Sequence, residues 1–255
     1  MRAGEAAAPT LRIEILDDDW GTASKADIRA VCASAGNELM TNVPERALPT
    51  LVVGNDAGGV PITLFKRGAN GEIRIRLTPR DAYWSQYAYQ FAHELCHVLC
   101  DYRDVPNDQK WFEESLCEAA SIFVIRRMGE SWKTAPPYPN WKSYAASLTK
   151  YADDHAAKTG KLDEPSFAAW YRAHEPALRK TGTDRPLNQI VAVHALLPLL
   201  EAEPKHWRAL GWLNQWDAAT RPTFAEYLRD WHARVPDEHK SFVAAVAAKF
   251  EILLQ

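Results

Sequence analysis

The chain has 255 residues, 47% of them apolar and 25% charged, with a formal net charge of −3. That length suits one large domain or two packed subdomains of an ordinary globular protein. Acids and bases are interspersed, which leaves no electrostatic footprint for nucleic acid or anionic lipid, and no window approaches the apolar length of a membrane span. Residues 1–9 have no apolar core of the kind a secretory leader carries, which favours a cytoplasmic setting, although a mature secreted form would look the same.

In chain order, residues 11–16 alternate apolar and polar side chains and read as a strand, and a helix follows from about Ser24 to Met40. Leu51–Val53 and Ile62–Phe65 are short β-rich runs separated by a Gly-rich stretch. Asn70-Gly71 is a strong hairpin signal leading into a further strand, Glu72–Thr78. If this strand lies at a sheet edge, Arg74 and Arg76 would guard it against aggregation.

Asp81–Asp101 contains neither Gly nor Pro and reads as a helix. Within it lies His-Glu-x-x-His, with His93, Glu94 and His97. Residues four apart on a helix lie one above the other, so His93 and His97 can present two imidazole nitrogens to one metal ion. Glu94, one position round, falls where a carboxylate can take a proton from water at the metal's open position. Trp84, Tyr87 and Phe91 recur at helical spacing on the same segment and are expected to pack into the sheet.

A second segment, from Trp111 through Ile125, places Glu113, Glu114 and Glu118 in an apolar, Ala-rich run. Glu114 and Glu118 share a helix face. One could bind the metal while the other accepts the free ring N–H of a ligating histidine. The four cysteines are Cys32, Cys96, Cys100 and Cys117, three of them on the two motif segments. They are expected to be reduced apolar fillers between packed helices, with a thiolate metal site as the sharper alternative.

The pair of segments around His93 and Trp111 resembles the gluzincin branch of the zincin metallopeptidases, which includes thermolysin and aminopeptidase N. Many smaller peptidase MA-like members carry Trp-Leu-x-Glu-Gly-Leu-Ala-Glu in the second segment. The resemblance implies one zinc ion held by His93, His97 and Glu114, with Glu94 as general base, Glu118 as supporting carboxylate, and a peptide or protein as substrate. Ser115 stands where the family usually has Gly. Sixteen residues separate His97 from Glu114 and twenty separate it from Glu118, which keeps Glu118 as the alternative ligand. A metzincin would continue the first motif with Gly and a third His, and Cys100 and Arg103 stand there instead.

The remainder reads as helical after a Pro-rich linker, Ser131–Asn140, expected to cross a cleft. Helices are expected over residues 141–158, 164–180, 185–201, 206–215, 223–234 and 238–254. The expected fold is thus α+β and zincin-like, with an N-terminal subdomain over residues 1–103, a helical subdomain over 104–255, and the metal at the floor between them. Tyr138, Tyr144, Tyr151, His155, His174 and His194 are candidates for donating a hydrogen bond to a developing oxyanion. Two other function classes stay open: a catalytically silent scaffold used for protein binding, and a zinc hydrolase of non-peptide amides or esters.

Overall fold

The computed structural model describes residues 11–254, so the leader reading of residues 1–9 lies outside the described residues. Among the described residues it is an α+β protein with nine α-helices and one four-stranded mixed sheet. No helix is long and apolar enough to cross a membrane. The chain forms two compact units, Met1–Leu95 with Val124–Tyr151 and Cys96–Phe123 with Ala152–Gln255. The sequence suggests a single division after residue 103; in the structure the chain changes unit inside three helices, α2 (Trp84–Leu99), α3 (Lys110–Ser131) and α4 (Ala145–Ala157).

The first unit is built on the sheet. Strands β1 (Ile13–Ile15), β2 (Leu51–Asn55), β3 (Ile62–Thr63) and β4 (Ile73–Leu77) take the order β1-β2-β4-β3. β1 pairs parallel with β2, which requires a crossover, and α1 (Lys25–Met40) supplies it. Ser24 caps α1 by accepting from the Asp27 N–H. A methyl group at Gly36 would stand 2.2 Å from Leu11 Cδ1 and 3.3 Å from Phe91 Cε1, so a glycine is what lets α1 close on its neighbours. β4 alternates cleanly, with Ile73, Ile75 and Leu77 buried and both arginines exposed.

The strand expected at the sheet edge is interior. β4 lies between β2 and β3, because the turn at Gly68–Glu72, with Gly71 at φ 82°, folds β3 and β4 into an antiparallel pair. The edge on that side is β3. The Pro-rich segment expected to be a linker is also tied down. Trp132 donates to Ser34 Oγ at 2.7 Å, and Trp141, in a tight turn over Pro139–Tyr144, stacks between Trp84 and Trp132 with centroids 5.0 and 5.5 Å away.

The second unit is helical. It contains α5 (Phe167–Lys180), α6 (Arg185–Val191), α7 (Leu197–Ala202), α8 (Phe224–Arg234) and α9 (Asp237–Lys249), together with the C-terminal part of α4 (Ala145–Ala157). The expected helix over 185–201 is interrupted by a wide turn at Ala192–Leu196, where Leu197 N–H reaches back to Ala192 O. Pro198 explains it: having no N–H and a crowding ring, it cannot continue the regular ladder. The core is aromatic, and Trp111 sits in it fully buried, 4.6 Å from Phe224 and 5.7 Å from Tyr171 by ring centroid. Replacing Trp111 with Ala is therefore expected to cost about 3–5 kcal/mol of unfolding free energy. Urea denaturation would check this, and a loss below about 1 kcal/mol would contradict the packing described.

Candidate metal centre

α2 carries His93, Glu94 and His97 on consecutive turns of an uninterrupted helix. Its apolar stripe, including Tyr87, Ala88, Phe91, Ala92 and Leu95, is fully buried, as expected for the aromatic residues on that face. His93 and Glu94 are buried with it, at 5% and 2% exposure. The helix ends just beyond the motif: Asp101 takes a left-handed conformation (φ 53°), and Tyr102 N–H bonds back to His97 O. Asp101 thus closes the helix.

The Glu94 carboxylate is held from the sheet. The Thr63 hydroxyl on β3 lies 2.8 Å from Glu94 Oε2 and 3.0 Å from Glu94 O, with Thr63 itself buried. A hydroxyl proton shared between these two oxygens fixes the carboxylate rotamer and leaves Oε1 as the other oxygen able to exchange a proton.

His97 is oriented within the second unit. Its Nδ1 lies 2.6 Å from Glu113 Oε1, and its Nε2 lies 3.7 Å from Glu114 Oε2. An ionised carboxylate can only accept, so Glu113 assigns the proton to Nδ1 and leaves Nε2, beside Glu114, with the lone pair. Glu113 Oε2 in turn accepts from Asn214 Nδ2 at 2.6 Å. Lys110 Nζ lies 3.7 Å from the other Glu114 oxygen, one turn back on α3. Glu118 is buried with its Oε1 3.0 Å from Arg185 Nε.

One further donor converges on the histidines. Ligand atoms of His93, His97 and Cys117 lie within 4.8 Å of one another, a group whose nitrogen and sulfur donors suit a borderline-soft ion such as zinc. Cys117 is fully buried, as are Cys32, Cys96 and Cys100, and all four are free thiols. Burial pushes the Cys96, Cys100 and Cys117 thiols well up from their ordinary range. The residues present therefore fit a metal, with a carboxylate and a thiol competing for the third place.

The helix brings together His93, Glu94 and His97, and α3 sets Glu114 beside His97. Sequence reasoning did not single out Glu113, Thr63 or Asn214 for their roles. Glu113 is adjacent to a named residue and needed only its partner, whereas nothing local marks Thr63 or Asn214. Of the oxyanion candidates, Tyr138 and Tyr151 pack against Trp141 and Tyr89, Tyr144 accepts from Ser85 N–H, and His174 stacks on Trp170. His155 stands within electrostatic reach of Glu118 and Arg185. No protein-family model, curated protein or solved structure matches this chain.

Two measurements follow from these environments. The buried thiols are expected to be silent to an aromatic disulfide reagent in the native protein and to react fully after unfolding. Rapid stoichiometric reaction of the native protein would contradict their burial. Separately, burial holds His155, His194 and His206 below the ordinary histidine value of 6.5. The unfolded chain then binds more protons than the folded one below that value, so their contribution is intact above it and lost as pH falls through the folded values. The thermal midpoint should drop between about pH 7 and pH 5, and removing these histidines should shrink the drop. A drop of undiminished size in the triple Gln variant would rule this source out.

Proposed function

We propose that the chain is a zinc-dependent hydrolase of peptide bonds on a zincin-like scaffold, of the gluzincin kind its motifs resemble. His93, His97 and Glu114 are the metal ligands and Glu94 is the general base. The observation that carries this is His97: Nδ1 is engaged by Glu113, and Nε2 faces the Glu114 carboxylate at 3.7 Å, a spacing suited to two ligands of one ion. Held by His93, His97 and Glu114, a zinc ion would supply an acidified water and Lewis-acid polarisation of the substrate carbonyl.

The chain's own groups supply the rest. Glu94 receives a proton through Oε1 and returns it to the leaving amine, while Thr63 holds Oε2. Glu113 serves as the supporting carboxylate for the His97 ring N–H, in place of Glu118, whose Oε1 lies 3.0 Å from Arg185 Nε. Through Thr63, the edge strand β3 runs beside Glu94, and Val60, Ile62 and Phe65 around it are exposed apolar side chains. An extended peptide adding to that edge by main-chain hydrogen bonds would lie within reach of the general base.

Cys117 gives a second reading of the ligand set, because its sulfur converges on both histidines. Glu114 is preferred because it occupies the third-ligand position of the motif the chain resembles, three residues after Trp111, and its Oε2 lies 3.7 Å from His97 Nε2. Metal content by mass spectrometry is expected to give about one zinc per chain in wild type and in Cys117→Ser, and far less in Glu114→Ala. With cobalt substituted, no near-ultraviolet thiolate band should appear. The opposite pattern would make Cys117 the ligand. Glu94→Gln should keep the metal and lower peptide hydrolysis by roughly 10²–10⁴-fold. A wild type that takes up no zinc would overturn the proposal in favour of a silent scaffold.

A further inference from the structure

The segment after the turn at Pro204–Trp212 returns to the Glu113–His97 pair and is clamped there. Asn214 is 4% exposed, and its amide is saturated. Nδ2 donates to Glu113 Oε2 at 2.6 Å and to Cys100 O at 3.0 Å, two atoms that can only accept. Oδ1 faces Trp216 Nε1 at 3.4 Å and Tyr227 Oη at 3.5 Å, two groups that can donate. The amide orientation is therefore dictated by its partners, because a flipped amide would set oxygen against oxygen. Arg103 locks the backbone of the same segment, donating through Nη1 to Asn214 O at 2.9 Å and Trp216 O at 2.6 Å while lying 5.2 Å from the Trp216 ring centroid.

From this geometry we infer that Asn214 is a positioning residue, the anchor of an Asn214–Glu113–His97 relay that selects the Nδ1–H form of His97 and aims Nε2 at the metal position. The amide fixes one oxygen of Glu113, so the other can face only Nδ1. Without the anchor, the glutamate has rotational freedom and the imidazole can exchange its tautomers. Outer partners of this sort typically change metal affinity by roughly 10–100-fold. The relay lies wholly within the second unit, Cys96–Phe123 with Ala152–Gln255.

The inference that this relay serves metal binding rests on the proposed function, but the tautomer it imposes does not. Long-range proton–nitrogen NMR on the metal-free, full-length protein, with histidines labelled and His97 assigned by His97→Gln, is expected to show His97 as the Nδ1–H tautomer. Asn214→Ala should convert it to a mixture and weaken zinc binding by roughly 10–100-fold in chelator competition, with the other seven histidines unmoved. A wild-type His97 in the Nε2–H form overturns the relay even if Asn214→Ala fails to fold. So does a folded Asn214→Ala that keeps both the tautomer and the zinc affinity. Failure of the wild type to bind zinc, with the tautomer as expected and disturbed in Asn214→Ala, would sink the hydrolase proposal and leave the relay standing.

Discussion

A histidine has two ring nitrogens and in its neutral form one proton. Which nitrogen is free to bind anything is settled by what occupies the other. Here the 2.6 Å contact between His97 Nδ1 and Glu113 settles it, and the rest of the candidate site is arranged around that choice. The helical spacing sets His93 one turn away, and α3 delivers Glu113 to one side of the ring and Glu114 to the other. Deep burial makes the arrangement demanding, because a buried carboxylate must be matched on both oxygens. Glu113 is matched, by His97 on one and Asn214 on the other.

The two carboxylates that matter most in the proposed chemistry are treated differently by the fold. Glu94 is tied to the sheet by a hydroxyl, a neutral donor that orients it without neutralising its charge. Glu113 is tied to a cationic-capable ring and an amide. Neither is left to find its rotamer in solvent: each is oriented within its own unit, Glu94 by Thr63 on β3 and Glu113 by Asn214.

Much of this was legible in the sequence because it depends on short-range periodicity. The helix bearing His93 and His97, the hairpin at Asn70-Gly71, the buried face of Trp84, Tyr87 and Phe91, and the nearness of Glu114 to His97 all follow from spacing along one element or between two consecutive ones. What failed to show depends on pairings across long stretches of chain. β4 is expected at an edge, yet the run at Ile62–Phe65, itself read as β, pairs with it as the short strand β3 and takes the edge position. Asn214 reaches Glu113 across 101 residues, and no local pattern distinguishes it from any other loop asparagine. The break in the helix at Ala192–Leu196 was written in Pro198, but its form as a widened turn depends on the packing around it.

The passage of α2 and α3 through both units has a consequence for how the chain can be made and cut. The first unit lacks Val124–Tyr151, and with it Trp132 and Trp141 of its tryptophan stack, until more than half of the chain has emerged. The second unit begins inside α2, before the first is complete. Neither unit is a contiguous stretch that could finish folding ahead of the other during synthesis. A fragment ending near residue 103 would keep Trp84 but lack Trp141 and Trp132, the rest of its tryptophan stack. Engineering that shuffles contiguous modules therefore has no seam to use between the two units, because the polypeptide is interleaved.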